Sequence, residues 1–504
     1  MPEALAPGRP VGVVGAGTMG AGIAEVAAAA GHRVLMFDSA PGRAEAAKVS
    51  IAEGLARRVA RGRLTDAERE RVLGRIPPIS NLAALAEAGL VIEAIIEEVE
   101  AKQQLFRTLE AVVSAETILA TNTSSLSITG VARPLARPER LVGLHFFNPA
   151  PAMRLVEVVP GLQTGPAVIE TAAATVQAWG KEPVVVPSWP GFLVNRVARP
   201  FYAEALRLVE EGAADPATLD AILREAGGFR MGPFELMDLI GLDVNLAVTR
   251  SVFEATHGDR RYAPSWLQEE HVRAGHLGRK TGRGFFEGGH APPPLPVPSP
   301  GPKPDRIHVL GDLGPAEPLL ARALEAGIAM ERAGGEGQIR IGDVVLALTD
   351  GRPATLRQGG TDGPLLVFDL AHDYATTGAL ALAKADQAPS DAVEVAAGFL
   401  QAIGIRPYGV DDTPGLVVMR TLAMLANEAA EAVRFGIAPP AVVDRAMRLS
   451  VGYPDGPLAW AERIGLTQIV TVLANLQAWY GEERYRCSPQ LRRHGLAGSS
   501  FFTS

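Results

Sequence analysis

The stretch Val11-Gly12-Val13-Val14-Gly15-Ala16-Gly17-Thr18-Met19-Gly20 joins a short apolar run to a G-x-G-x-x-G turn. An alanine-rich stretch follows to Ala30, and then a second apolar run, Arg33–Phe37, ends at Asp38. Strand, glycine turn, helix and strand in that order predict a β-α-β unit. Gly15 permits the tight turn, Gly17 lets the backbone approach a pyrophosphate, and Gly20 lets helix and strand pack closely. Thr18 and Met19 open the helix, whose unpaired N–H groups suit an anion. Asp38 is placed to accept the ribose hydroxyls of an adenosine. Its charge repels a 2′-phosphate, so NAD is expected rather than NADP, with Arg43 as a nearby opposing charge.

Outward from that unit, Thr65-Asp66-Ala67-Glu68 has capping-box spacing and predicts a helix start. Leu90–Ile96, Thr117–Ala120 and Leu141–Leu144 read as further strands, which implies a parallel, doubly wound sheet over residues 8–188. A helical pattern follows over 189–287, with Asp215-Pro216 as an N-cap and first helical residue. Residues 288–304 are proline-rich and read as an extended linker.

Beyond the linker the chain repeats itself. A shift of 224 aligns Gln177, Gly180, Pro183 and Pro190-Gly191 with Gln401, Gly404, Pro407 and Pro414-Gly415. The same shift aligns Arg196, Glu204, Asp220 and Gly232-Pro233 with Arg420, Glu428, Asp444 and Gly456-Pro457. Residues 411–496 are therefore expected to be a second helical domain, and 305–410 a degenerate Rossmann-like segment. The opening of that segment, Val309–Gly314, lacks the middle glycine of a dinucleotide loop.

Composition bounds the function. With 504 residues, 47% of them hydrophobic, the chain holds several cores. A net charge of -8 argues against nucleic acid as a partner. The single cysteine, Cys487, excludes an internal disulfide and a thiolate metal cluster, and it suits a reducing cytoplasm. No apolar stretch has membrane-spanning length, and the N-terminus lacks a signal-peptide pattern. Only six of the 48 basic residues are lysines, so each lysine carries information.

Three segments place short polar side chains at strand ends or helix starts. They are Thr121–Leu126 with Ser124, Gly143–Pro149 with His145 and Asn148 followed by Glu157, and Pro190–Arg196 with Asn195. Oxidation of an alcohol by NAD needs a base for the hydroxyl proton, and a histidine titrates in the right range. Glu157 is placed to orient the ring and stabilise the imidazolium.

These segments closely resemble the 3-hydroxyacyl-CoA dehydrogenase family, from about residue 10 to 286. The resemblance implies His145 as base, Glu157 as its partner, and Ser124 and Asn195 as substrate contacts. It further implies NAD contacts from Glu97, Lys102, Ser124, Asn148 and Lys280. Coenzyme A contacts would come from Ser124 and, on the helix after Asp38, from Arg61. Gly54 stands there where the family often has a serine, so that hydroxyl is missing. The long C-terminal half resembles the bacterial members linked to phenylacetate breakdown, which implies 3-hydroxyadipyl-CoA or a shorter acyl-CoA such as 3-hydroxybutyryl-CoA as substrate. In the family the helical domain forms the homodimer interface, so a homodimer or an intramolecular pseudo-dimer of 411–480 on 189–285 is expected. At the shift of 224, Asn195 falls on Met419, and His145 and Glu157 fall on Asp369 and Ala381, so no second active site is expected. Two other functions fit the glycine loop: a dehydrogenase of a free hydroxy acid or sugar acid, and a non-catalytic NAD-binding protein.

Overall fold

The computed structural model describes residues 3–295 and 297–503. The chain divides at Asn195/Arg196 into two compact units. The first holds a seven-stranded sheet built from β1 (Val11–Val14), β2 (Val34–Phe37), β3 (Leu90–Glu93), β4 (Ile118–Thr121), β5 (Leu141–Phe146), β6 (Leu155–Pro160) and β7 (Glu182–Val185), in the order β2-β1-β3-β4-β5-β6-β7. β1 lies between β2 and β3 and is parallel to both. The connections leave β1 in opposite directions, which opens a crevice at the carboxyl ends of the strands. β1, β3, β4 and β5 are buried along their whole length, as expected for strands covered on both faces.

Two expectations change. The sheet is not wholly parallel, because β5 and β6 run antiparallel. Only residues 147–154 join them, and a parallel crossover needs about a dozen residues or more. β3 ends at Glu93 rather than at Ile96, which is 60% exposed. The Glu93 carboxylate accepts a hydrogen bond from the Ile95 N–H at 2.7 Å and turns the chain out of the sheet. The helix Asp66–Gly74 starts on the capping box of Thr65 and Glu68.

The second unit contains both helical copies. In the first, Asp220 caps the helix Pro233–Ile240 by accepting from the N–H groups of Phe234 and Glu235 at 3.0 and 2.8 Å. In the second, Asp444 accepts from Leu458 and Ala459 at 2.9 and 2.8 Å, each position shifted by 224. A Cβ on Gly232 or Gly456 would lie 2.1 Å from the Cγ of that aspartate, which is why both copies keep glycine.

The copies pack helix Arg199–Glu210 against helix Val418–Arg434, with reciprocal charges. Arg196 Nε donates to Glu428 at 2.6 Å, and Tyr262 and Arg261 meet the same carboxylate. In mirror fashion, Arg420 Nε donates to Glu204 at 2.8 Å, joined by Tyr485 and Arg484. Residue i of one copy meets residue j of the other and j meets i, the signature of an isologous contact.

Between the helical copies lies a second seven-stranded sheet of β8 (Arg306–Leu310), β9 (Ala329–Ala333), β10 (Gln338–Ile341), β11 (Val344–Leu348), β12 (Leu365–Phe368), β13 (Ala379–Lys384) and β14 (Arg406–Gly409). Its order, β14-β13-β12-β11-β10-β8-β9, matches the first sheet position for position. The difference is β10, antiparallel to both neighbours and joined to β11 by the two-residue turn Gly342-Asp343. A hairpin replaces a helical crossover, and the Rossmann pattern is thereby reduced. The proline-rich segment before it is anchored to this unit. Leu295 N–H donates to Thr218 Oγ1 at 3.0 Å, and Gly301 N–H to the Glu394 carbonyl at 2.7 Å.

Candidate active site

The glycine loop leaves β1 and enters the helix Thr18–Ala29. Gly15 has a φ of +102° and a Cβ there would lie 2.4 Å from the Ala94 carbonyl oxygen, while a Cβ on Gly20 would lie 1.8 Å from the Gly15 carbonyl. Both glycines serve the turn itself. Gly17 differs: a Cβ there would meet nothing within 4 Å. Its lack of a side chain clears space for a ligand rather than for the protein. No side chain caps this helix and its first turn holds no acidic residue, so its N–H groups suit an anion such as a pyrophosphate. The residues present therefore fit a dinucleotide.

Asp38 Oδ2 accepts from Ala16 N–H at 2.7 Å, and Oδ1 accepts from Ala40 N–H at 2.9 Å. The carboxylate thus braces the loop as well as presenting charge at the end of β2. Arg43 Nε stands 3.7 Å away and offsets part of that charge.

His145 and Glu157 are cross-strand partners in the antiparallel β5–β6 pair. His145 Nδ1 lies 2.7 Å from Glu157 Oε2. An ionised carboxylate only accepts, so the contact pairs a proton on Nδ1 with Glu157 and leaves Nε2 its lone pair. Glu157 is fully buried, and its other oxygen accepts from the N–H groups of Leu193 and Val194 at 3.0 and 2.9 Å. The Pro-Gly turn before Asn195 is thereby tied to the histidine through one carboxylate. Phe147 and Phe192 flank the imidazole, with ring centroids 4.4 and 5.9 Å from it.

Ser124 follows the end of β4, and Asn195 Nδ2 donates to its carbonyl at 3.3 Å. Asn122 Oδ1 accepts from Phe146 N–H at 2.8 Å and fixes this loop against the end of β5. Glu97 Oε1 accepts from Ser124 N–H at 2.8 Å and from Thr123 Oγ1 at 2.6 Å. Burial by itself raises the Glu97 carboxyl, but Lys102, Thr123 and Ser124 outweigh it and hold it below the usual value. Lys102 is buried, and its ammonium lies 2.6 Å from Glu93 and 3.2 Å from Glu97. In this structure the lysine holds carboxylates rather than facing outward. Sequence reading missed Glu93, which also accepts from Thr121 Oγ1 at 2.6 Å. The available signal was a charge closing the apolar run Leu90–Ile92.

Asn148 is exposed just beyond β5. Arg61 is exposed at the end of the helix Arg43–Ala60, and Gly54 on that helix faces open space toward Arg57. Arg58 of the same basic face is paired with Glu25. Lys280 belongs to the second unit, where its ammonium lies 2.6 Å from Asp243.

The second sheet lacks this chemistry. The N–H groups of Leu313 and Gly314 are taken by Glu317 at 2.9 Å and Asp312 at 2.8 Å, which places carboxylates where a phosphate would have to sit.

Comparison with known proteins points to one family. Residues 10–188 match the family described as 3-hydroxyacyl-CoA dehydrogenase, NAD binding domain. The 3-hydroxyacyl-CoA dehydrogenase C-terminal domain matches twice, at 191–288 and 415–500. Residues 346–414 match the 3-hydroxybutyryl-CoA dehydrogenase reduced Rossmann-fold domain. The chain is 43% identical to a 3-hydroxyadipyl-CoA dehydrogenase of Escherichia coli (strain K12), over 97% of this chain and 98% of that one. It is 42% identical to a probable 3-hydroxybutyryl-CoA dehydrogenase of Bacillus subtilis (strain 168), which covers 55% of this chain and is itself covered to 96%. Among solved structures, a 3-hydroxybutyryl-CoA dehydrogenase from Escherichia coli K12 superposes with a TM-score of 0.88 at 42% identity, over 97% of this chain and 98% of that one.

Proposed function

Since the chain belongs to the 3-hydroxyacyl-CoA dehydrogenase family and is an NAD-dependent enzyme, we propose that it oxidises (S)-3-hydroxyacyl-CoA to 3-oxoacyl-CoA with His145 as general base. The observation that carries this reading is the 2.7 Å contact between His145 Nδ1 and Glu157. It leaves Nε2 as the basic atom toward a substrate hydroxyl. As the hydroxyl proton passes to Nε2, the ring becomes an imidazolium, and the buried Glu157 carboxylate stabilises that charge. The nicotinamide ring of bound NAD supplies the hydride acceptor. Ser124 and Asn195 hold the substrate oxygens, while Gly17, Thr18, Met19, Asp38, Glu97 and Asn148 hold the dinucleotide. Lys102 acts through Glu97, and Arg61 meets a phosphate of coenzyme A.

For the acyl group we propose 3-hydroxyadipyl-CoA, in aromatic-acid or fatty-acid breakdown, supported by the similarity to the Escherichia coli relative of that name along nearly the whole chain. A location in the cytoplasm is supported by the single cysteine, and among the described residues no helix is long and apolar enough to cross a membrane. The reciprocal Arg196–Glu428 and Arg420–Glu204 pairs support an intramolecular pseudo-dimer in place of a partner's helical domain.

The test is NADH formation across a panel of 3-hydroxyacyl-CoAs with and without a terminal carboxylate, free acids included. Turnover of the free acids at a rate equal to the thioesters would discard the coenzyme A reading.

A further inference from the structure

Phe147, whose ring packs on His145, and Asn148 sit on the segment between β5 and β6. Farther along, Ala150 and Pro151 lie against the helix Thr18–Ala29. A Cβ on Gly22 of that helix would come within 3.1 and 3.2 Å of them. The segment is wedged between the helix that opens toward the dinucleotide and the strand that carries the histidine. Its carbonyls at Ala150, Pro151 and Met153 turn inward, and one side chain meets all three. Lys181 Nζ donates to them at 2.7, 3.3 and 2.7 Å. Lys181 is buried, and burial lowers its pKa while Glu25 opposes the shift.

The duplicated sheet supplies an internal comparison. At the shift of 224, Ala150 and Met153 correspond to Tyr374 and Thr377, and Lys181 to Ile405. Two backbone hydrogen bonds there recur in both copies. Lys181 N–H donates to Val176 and Ile405 N–H to Leu400, at 3.1 and 2.8 Å; Glu182 N–H donates to Arg154 and Arg406 N–H to Gly378, at 2.8 and 2.9 Å. The lysine is gone from the second copy, yet the two carbonyls are still held by a cation. Arg322, from the helix Pro318–Glu325, donates to Tyr374 and Thr377 at 3.2 and 2.7 Å. Inward carbonyls need donors, since unpaired buried carbonyls are costly, and in both copies a cationic side chain supplies them. The two copies meet the need from different elements. Only in the first does the segment follow a catalytic histidine; the second has Asp369, Ala371 and His372 at the positions of His145, Phe147 and Asn148.

We propose that Lys181 is a positioning residue for the reaction: its ammonium sets the segment Phe147–Met153, and through it the packing of the His145 ring and the placement of Asn148 toward the dinucleotide. Arg322 performs the same structural task where there is no chemistry to position. This inference rests on His145 being the base.

The two clamps make a matched experiment in the full-length chain. Lys181→Met and Arg322→Met each remove one cation from equivalent carbonyls, and both lower the melting temperature. Lys181→Met lowers kcat by about tenfold to a hundredfold, the scale of a small misplacement of reacting groups, and raises KM for NAD. Arg322→Met leaves kcat within about twofold, because it orders no reacting group. Lys181→Gln, which keeps two N–H donors without the charge, gives an intermediate kcat and serves if the methionine variant does not fold. Equal kcat in Lys181→Met and the unaltered enzyme, or an equal loss in Lys181→Met and Arg322→Met, overturns the proposal. His145→Gln assayed alongside separates the two readings: retained turnover there defeats the base assignment, whatever the lysine variants show.

Discussion

Asp369 holds in the second sheet the position that His145 holds in the first. His145 pairs with Glu157 across β5 and β6, and the pairing of β12 with β13 runs in the same register shifted by 224, with Asp369 N–H bonded to the Ala381 carbonyl at 3.0 Å. Asp369 has also taken over the scaffold half of the work of Glu157. Its two oxygens accept from the N–H groups of Val417, Val418, Met419 and Leu370. Burial pushes its carboxyl up to about 6 against the pull of those bonds. All four bonds go to backbone N–H groups, three of them just after the Pro-Gly turn, and none to a base.

The first prediction follows from that contrast. His145→Gln should keep the fold and NAD affinity and lose roughly 10²–10⁴-fold in turnover, with nothing recovered from the second half of the chain. Single-turnover and steady-state assays on the purified variant check this. A residual rate above a few per cent of the parent would defeat the assignment of His145 as the base.

Asp38→Ala should narrow the preference for NAD over NADP. Because Asp38 also accepts from Ala16 N–H, the same change loosens the glycine loop. Affinity for both cofactors should fall, for NAD by more. Isothermal titration with each dinucleotide measures the two losses; a wider NAD preference in the variant contradicts the reading.

The buried charges between the helical copies should be costly to unpair. Glu428→Ala takes the carboxylate from Arg196, while Arg261 keeps Asp259; Glu204→Ala takes one from Arg420, which keeps Glu211. Because second carboxylates remain near, each should cost about 1–3 kcal/mol, the penalty of charged hydrogen bonds lost in a buried site. Reciprocity predicts similar losses from the two, read by chemical denaturation of both variants.

Truncation at the proline-rich segment exposes the face of helix Arg199–Glu210. Glu204 lies on that helix and Arg196 just before it, so two truncated chains can pair Arg196 of one with Glu204 of the other. Residues 1–290 should self-associate or aggregate, as sedimentation velocity would show. A truncated chain that stays monomeric, soluble and fully active rules the pseudo-dimer out.

Glu211 should make the second unit acid-sensitive. Burial by itself raises this carboxyl, but Arg420, Tyr480 and Arg207 outweigh it and bring it down to about 2. Its folded pKa lies below the unfolded value, so its stabilisation is present above about pH 4.5 and is lost as pH falls through 2. Discounted for its partial exposure, that amounts to about 2 kcal/mol. Glu211→Gln should lower the melting temperature at pH 7 and lower it less at pH 3. An equal gap at both pH values would show that the ionised carboxylate is not the source.

What the sequence determined by itself was whatever depends on local spacing. The glycine loop and Asp38 lie on one β-α-β unit, the Thr65 capping box acts within one turn, and the repeat is a matter of register, so each could be read from residue order. The family resemblance then placed Glu157 with His145. Tertiary structure alone decided which groups meet across the sheets. That β5 and β6 run antiparallel, bringing Nδ1 to 2.7 Å from Oε2, depends on a connection whose brevity matters only once both strands share a sheet. The same holds for Lys102, buried between Glu93 and Glu97, and for Lys181 and Arg322, which close on equivalent carbonyls from unrelated elements. Sequence spacing carries no signal for such contacts, because buried polar groups are satisfied by whatever donor the packed chain brings near, at any separation along it.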